Sequence, residues 1–421
     1  MGGVKIIITT ALIVLTLGYI FYLPVPADVD DPLKASIFQQ QADWSIKLAL
    51  LSWKIGFGDI INNTRSMLTF MVTFGITSSS NEEMEVRDET IAGVRVRIYR
   101  PVGVKRFAPA LIYFHGGGWI ALSPEVYDSS TYEMARMGKV VVISVDYRLA
   151  PENPYPAGFE DCVAVTAYIL QHGHKNGIDT SKVGIGGDSA GGNLAAAVAL
   201  KFTEDTMVAK NLPKLRFQVL IYPVVQMHDF QLPSSVSNDL AMRGVLRRWS
   251  APLCLACYMG YDIVTSYSYL APQMSDNRHV SDGIKAKYGH LVDHALLPEK
   301  YRNTSAKVSS SATFNATLFG MMASYMTDPY FSPITAPTGM LAKSPPAIIV
   351  SVEYDVIRDD AILYKHHLEK AGVRVKHYHL ERGYHPMMIL SPFSFLRHGS
   401  AVKTYEAMMS FVNEILAEEY N

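Results

Sequence analysis

Short, predominantly apolar runs rich in Val and Ile recur along this chain, at Leu111–Phe114, Val140–Val145, Val183–Ile185, Phe217–Ile221 and Ala347–Val352. Runs of this length without a strict apolar–polar alternation read as strands covered on both faces. Val94, Val96 and Ile98 do alternate, which predicts an antiparallel strand near a sheet edge, and Val373–Leu380 alternates in part. Helical stretches fit between the runs. Ala190–Phe202 is rich in Ala and Leu, Asp359–Ala371 opens on acids and stops at Gly372, and Val402–Ala417 has helical spacing. Strands alternating with helices place the chain in the α/β class, with a mostly parallel, doubly wound sheet.

Two regions break this rhythm. Before about Ser80, Trp44, Leu48, Leu51 and Ile55 recur at helical steps, as a face that packs on something does. From Met227 to Pro329 there is no strand–helix alternation, yet the segment carries aromatic patches such as Trp249–Met259. A structureless loop of that length does not belong in a compact domain. The expected organisation is therefore one catalytic domain over residues 28–421, with a helical cap drawn from about 28–80 and 227–329. A disordered insertion is the competing reading.

The amino-terminus carries a different signal. No charged residue occurs from Ile6 to Ala27, Lys5 precedes the run, and Asp28, Asp30 and Asp31 follow it. About 20 apolar residues span a hydrocarbon core as one helix. Residues 1–27 are accordingly expected to form one N-terminal transmembrane signal-anchor, with the amino-terminus cytosolic and the rest lumenal. Val25-Pro26-Ala27 is also compatible with a cleaved signal peptide. Asn62, Asn303 and Asn315 head candidate glycosylation sequons, which matter only if the domain is lumenal. Lys and Arg total 38 against 39 Asp and Glu, so the chain lacks the basic excess of a nucleic-acid partner. The three cysteines, Cys162, Cys254 and Cys257, are too few for a disulfide framework and read as buried thiols, with a disulfide involving Cys162 left open.

One constellation carries chemistry. Gly187-Asp188-Ser189-Ala190-Gly191 stands directly after the Val183–Ile185 run and directly before the Ala190–Phe202 helix. A strand, a turn tight enough to need flanking glycines, and a helix together expose a serine hydroxyl above a sheet. His115-Gly116-Gly117-Gly118-Trp119 ends the Leu111–Phe114 strand. Its glycines can aim N–H groups at one oxygen, so Gly116, Gly117 and the N–H of Ala190 are candidate oxyanion donors. Asp355 follows the Ala347–Val352 strand, and His385 follows the last strand in a glycine-containing loop. Ser189, Asp355 and His385 are then nucleophile, orienting acid and base in this fold's chain order. Asp359 and Asp360 are rivals for the acid, read instead as capping the helix they open. His377 and His379 are strand side chains. No metal or cofactor is required.

These residues resemble the arylacetamide deacetylase group of the hormone-sensitive-lipase-like α/β-hydrolase family. The resemblance runs in order through His115–Trp119, Val145–Glu152, Gly187–Gly192, Asp328–Pro333, Tyr354–Asp360 and Gly383–His385. It implies an α/β-hydrolase fold with a cap and the Ser189–Asp355–His385 triad, with oxyanion stabilisation by the His115–Gly117 segment. It also implies an endoplasmic-reticulum anchor, a lumenal catalytic domain, and lipid or xenobiotic esters and amides as substrates. Two alternatives use the same residues differently: acyl transfer to an alcohol, or a silent hydrolase fold that only binds. Two departures stand out. Ile120 and Val352 occupy positions where the group carries a cysteine pair, which implies that packing replaces a crosslink. Pro386 follows the histidine where a small residue is expected.

Overall fold

The computed structural model describes residues 22–73, 80–204, 211–242, 244–302, 313–389 and 397–418, with residues 5, 8–12, 16 and 18 near the amino-terminus. Helices of nine residues or more are numbered in chain order. The chain enters the domain with α1 (Pro32–Lys54) and α2 (Ile60–Thr73), then runs β1 (Met84–Ile91), β2 (Val94–Pro101) and β3 (Ala108–Phe114). Next come α3 (Asp128–Gly138), β4 (Val141–Val145), α4 (Ala157–His172), β5 (Ile178–Asp188), α5 (Ala190–Lys201) and β6 (Gln218–Ile221). Between β6 and β7 (Ala347–Tyr354) lie α6 (Pro233–Ala241), α7 (Ser250–Tyr258), α8 (Ala316–Thr327) and several shorter helical turns. The chain closes with α9 (Arg358–Lys370), β8 (Val375–Tyr384) and α10 (Gly399–Ala417).

The sheet has eight strands in the order β1-β2-β4-β3-β5-β6-β7-β8. β3 to β8 are parallel, and β2 pairs antiparallel with both β1 and β4. The pleat sends neighbouring residues to opposite layers. Leu111 and Tyr113 of β3 therefore join one core cluster, while Ile112 and Phe114 join the other. Helix α5 lies against the middle of the sheet, and every residue from Ala190 to Leu200 is buried. Its run of alanines and glycines lets it approach the strands closely enough to aim its first turn at the end of β5.

Each apolar run anticipated as a strand is one, and the alternating Val94–Ile98 segment lies in β2, one strand in from the edge. The edge itself is β1, whose sequence Met-Glu-Val-Arg-Asp-Glu-Thr-Ile is too charged to announce a strand. Charges of this kind blunt an open edge against pairing with other chains. The segment between β6 and β7 is largely helical, so the disordered-insertion reading fails over its described part. The helix over Trp44–Ile55 also exists, as α1, and the face it turns to the domain is not the one that the apolar line marks. Ala35, Phe38, Gln39, Ala42 and Ala49 face the core, while Leu48, Leu51 and Ile55 point outward.

The three cysteines are free. Burial pushes the Cys254 thiol up to about 12 and the Cys257 thiol up to about 11, and raises that of Cys162 as well. Ile120 packs beside one core cluster and Val352 within the other. No contact between those two side chains therefore takes the place of a crosslink. Residues 1–27, expected as the anchor, lie only in part among the described residues. Among the described residues no helix is long and apolar enough to cross a membrane.

One buried side chain ties the sheet to the cap. Asn193 of α5 donates from Nδ2 to the carbonyl of Val224 (2.9 Å), just past β6, and to that of Phe331 (3.0 Å), where the chain returns from the insertion. Asn193→Ala leaves both carbonyls buried without a donor. The expected cost is about 2–4 kcal/mol of unfolding free energy, measured by urea denaturation against the unsubstituted protein.

Candidate active site

β5 ends at Asp188 and α5 begins at Ala190, so Ser189 alone turns the chain, with φ 54° and ψ −120°. A non-glycine residue held there costs about 1–3 kcal/mol and persists only if its surroundings enforce it. Two glycines make room. A Cβ on Gly191 would stand 2.0 Å from the Phe114 carbonyl oxygen, and one on Gly187 would stand 2.3 Å from the Gly191 carbonyl oxygen. Neither position accepts any side chain. The Ser189 N–H donates to the Ile221 carbonyl at 2.9 Å, which pins the turn to the end of β6. Ser189 also heads α5, whose N-terminal end carries the partial positive charge of the helix.

His385 and Asp355 meet beside this turn. His385 Nδ1 lies 2.9 Å from Asp355 Oδ2, and both residues are buried. The second Asp355 oxygen accepts the Ile357 N–H at 3.0 Å, which fixes the carboxylate's plane. Asn238 of α6 donates to the Asp355 carbonyl at 2.8 Å and so holds the backbone of the same residue. The His385 ring packs on Tyr222, with centroids 4.4 Å apart, just past β6. The chain after His385 closes into a turn, with the Ile389 N–H on the Pro386 carbonyl at 3.0 Å and Met387–Ile389 buried. Pro386 leaves the histidine–aspartate bond intact.

Asp359 and Asp360 go elsewhere, and the reading of them as helix caps is corrected. Both are buried. Asp359 Oδ2 accepts the Ser234 N–H (2.7 Å), and Asp360 Oδ2 accepts the Val225 N–H (3.1 Å). They tie α9 to the chain entering the cap. His377 and His379 lie in β8 as expected, both on the Ser351 hydroxyl.

The glycine loop after β3 also needs a correction. The Gly116 N–H points inward and is taken, by Asp188 Oδ1 at 2.9 Å and the Tyr127 hydroxyl at 3.0 Å. It is not available to a substrate oxygen. The His115 ring is buried, stacks on Tyr147 at 4.3 Å, and bonds through Nδ1 to the Gly116 carbonyl at 2.7 Å. Burial lowers its pKa, and the ring, held by Tyr147 and the Gly116 carbonyl, supports the loop from within. Gly117 and Gly118 follow with φ 109° and 64°. A Cβ on Gly117 would meet the Ala121 carbonyl oxygen at 2.1 Å, so the loop is built around its absence. Among the described residues, the N–H groups of Gly117, Gly118 and Ala190 have no protein acceptor.

Asp188 is the residue that the motif alone does not explain. Fully buried beneath the serine, it accepts from Tyr113 Oη (2.9 Å), Tyr127 Oη (2.8 Å) and the Gly116 N–H. Burial pushes its carboxyl up to about 6, with the two tyrosine hydrogen bonds working the other way. It locks the glycine loop to the turn that carries Ser189. Its place inside the motif was visible in the sequence, but Tyr113 and Tyr127 gave no sign of their role.

Helices from the segments expected to form a cap make contact with the site. Gln39 of α1 donates to the His385 carbonyl (3.2 Å) and accepts the Val245 N–H (2.7 Å). Arg65 of α2 donates to the carbonyls of Ile120 (2.7 Å) and Ala150 (2.9 Å) and pairs with Glu152 (2.8 Å). Trp119 stacks on Tyr258 of α7 at 4.7 Å. Of the candidate sequons, Asn62 is exposed on α2. Asn315 caps α8 and donates to Gln273 at 2.7 Å, and Asn303 lies outside the described residues. Among the described residues, Asp30, Asp31 and His398 bring three ligand-type atoms within 4.8 Å. The Lys34 ammonium already stands 2.9 Å from Asp31 there.

A serine on a strained strand–helix turn, a buried histidine–aspartate pair and a glycine loop at the same sheet edge define the α/β-hydrolase class. The sequence pattern of the alpha/beta hydrolase fold family matches residues 111–284 and 293–389, and the chain belongs to that family of hydrolytic enzymes. Within it, the chain belongs to the arylacetamide deacetylase group. It is 33% identical to bovine arylacetamide deacetylase over 409 residues, covering 95% of this chain and 96% of the relative. It is 34% identical to bovine neutral cholesterol ester hydrolase 1 over 397 residues, covering 91% and 93%. Among solved structures, the hyperthermophilic esterase from the archaeon Pyrobaculum calidifontis superposes with a TM-score of 0.60 at 24% identity. It covers 94% of this chain and 100% of its own, a likeness of fold.

Asp188→Ala strips the acceptor from two tyrosine hydroxyls in a buried layer and leaves the Gly116 N–H only the Tyr127 oxygen. Each stranded donor costs about 1–3 kcal/mol, so a loss of several kcal/mol is expected in chemical denaturation. Tyr127→Phe removes one of those donors and is expected to cost about 1 kcal/mol.

Proposed function

We propose that this chain hydrolyses carboxylic esters or amides through a covalent acyl-enzyme on Ser189, as a membrane-anchored enzyme. The single observation that carries the reading is the buried 2.9 Å bond between His385 Nδ1 and Asp355 Oδ2 beside the strained Ser189 turn. With Nδ1–H donated to Asp355, the histidine presents its Nε2 lone pair to take a proton. Ser189 Oγ attacks the substrate carbonyl as that proton leaves, and the carbonyl oxygen becomes an oxyanion. The N–H groups of Gly117, Gly118 and Ala190 receive it, each worth a few kcal/mol in the barrier. His385 passes the proton to the departing alcohol or amine. Water then repeats the sequence on the acyl-serine and regenerates the enzyme.

The cap, from about 28–80 and 227–329, sets which acyl and leaving groups fit. Relatives named for arylacetamide deacetylation and neutral cholesterol ester hydrolysis support an apolar substrate, a lipid or xenobiotic ester or amide. Residues 1–27 form the transmembrane signal-anchor of a type II protein of the endoplasmic reticulum, with the catalytic domain lumenal. The uncharged run between Lys5 and Asp28 supports this. Asn62, exposed on α2, is then a sequon open to glycosylation. Asn315 must first give up its bond to Gln273.

Two measurements test these readings. Alkaline carbonate extraction is expected to leave the full chain in the membrane pellet, and a soluble product starting at Asp28 contradicts the anchor. For the chemistry, Ser189→Ala and His385→Ala are each expected to lower kcat/KM on an acetyl ester by about 10⁴-fold or more. The double variant should lose no more than either alone. Asp355→Asn, which spares nucleophile and base, should lose less. Full turnover in Ser189→Ala rules the acyl-enzyme out.

A further inference from the structure

Helix α1 buries one face against the domain, and along the other face several large aliphatic side chains are exposed. Ala35, Phe38, Gln39, Ala42 and Ala49 are buried against the domain. On the opposite side, Leu33, Leu48, Leu51 and Ile55 fall on one face of the helix, the last three at steps of three and four residues. Leu33 is 66% exposed, Leu48 47%, Leu51 54% and Ile55 67%, and Phe57 just beyond the helix is 75% exposed. A surface helix normally shows water its polar side, and a line of large aliphatic side chains there marks a contact surface.

We infer that this outer face of α1 lies on the surface of a lipid bilayer, holding the histidine side of the active site against the membrane. The inference rests on the proposed anchor, and three observations choose lipid as the occupant. The uncharged run from Ile6 to Ala27 ends five residues before the helix begins at Pro32, so α1 starts where the chain leaves the bilayer. A helix of 23 residues extends about 35 Å, long enough to lie along the interface. The stripe is bordered by Lys47 and Lys54, both exposed, and Lys47 stretches toward Trp44 and Asp43. Lysines edging an apolar helix face are what an interfacial helix places at headgroup level.

The same helix touches the site from its inner face. Gln39 bonds the His385 carbonyl, and the Phe38 ring lies 6.4 Å from that of Tyr384, the residue before the histidine. The Tyr354 hydroxyl, one residue before Asp355, donates to Asp28 at 2.6 Å. The connection between anchor and domain thus runs along the catalytic edge of the sheet. A substrate dissolved in the bilayer then has a short path to Ser189, and one in water gains nothing from the stripe.

The test uses the full chain reconstituted into phosphatidylcholine vesicles. A Leu51→Cys variant carries an environment-sensitive nitrobenzoxadiazole label, with Lys175→Cys, exposed at the opposite end of the sheet, as the control. The unsubstituted chain serves as the blank. The Leu51 label is expected to be blue-shifted and quenched by doxyl-labelled lipid, and the Lys175 label is not. A label that stays water-like overturns the inference. So does one that is shielded yet untouched by doxyl lipid, because protein then covers the face, whether a second copy or this chain's own residues. The second arm is the triple variant Leu48→Glu, Leu51→Glu, Ile55→Glu. Turnover of a water-soluble acetyl ester should stay within about twofold, and that of a long-chain ester embedded in vesicles should fall about tenfold. Equal loss on both substrates overturns the inference. Release of the chain from vesicles by alkaline wash defeats the anchor and the stripe together, whereas a retained chain with a water-exposed label defeats the stripe alone.

Discussion

Backbone meets backbone where α5 leaves the sheet, and the site is built on that contact. Gly191 lies so close to the Phe114 carbonyl that a methyl group would stand 2.0 Å from its oxygen, and Gly187 closes on Gly191 in the same way. This approach compresses the strand-to-helix turn to one residue and forces Ser189 to a positive φ. The β3 end that supplies the Phe114 carbonyl continues directly into the glycine loop. One tight contact therefore sets the serine, the loop N–H groups and the start of α5 relative to each other. Asp188 then fastens the arrangement from below, through two tyrosines and Gly116. Strain at Ser189 is held in place by this over-determined surrounding, as strain at functional sites generally is.

The residues gave away the catalytic edge because the chemistry there is also a backbone requirement. Glycines on both sides of Ser189 are needed to make the turn, so the motif reports geometry as well as identity. Asp355 and His385 were legible because each follows a recognisable strand, and strand ends converge at one edge of a parallel sheet. The strands themselves were legible because burial on both faces demands Val and Ile. β1 was not, since an edge strand exposed to water is free to carry Glu, Arg and Asp. Gly116 was misplaced because sequence says that a glycine permits an approach but not which way its N–H turns. Asp188 and Tyr127, far apart in the chain, decide that direction. Asp359 and Asp360 resembled helix caps by position, yet their partners, Ser234 and Val225, lie more than a hundred residues upstream.

The stripe on α1 shows the same limit from another side. Helical periodicity identified the helix and its apolar line, but it does not say what that line packs on. Apart from Phe38, the core-facing residues are small or amide-bearing, Ala35, Gln39, Ala42 and Ala49 among them, and Gln39 bonds the His385 loop. Large aliphatic side chains turned outward depart from the usual arrangement of a surface helix in water. That departure, directly behind an uncharged run of residues, is the observation on which the proposed membrane contact rests. The aromatic stack of Trp119 on Tyr258 and the Arg65 contacts to Ile120 and Ala150 fasten the cap to the glycine loop on the other side. Both arms of the site are thus braced by the segments that determine what reaches it.

The central claim, that Ser189 becomes covalently acylated, is read most directly by trapping. The full chain is treated with a fluorophosphonate, which mimics the tetrahedral phosphorus adduct of a serine nucleophile, and the adduct is located by peptide mass mapping. A single adduct on the peptide carrying Ser189, formed by the native fold and lost when the protein is unfolded beforehand, is the expected result. A folded protein that leaves Ser189 unmodified, or that carries the adduct on another residue, contradicts it.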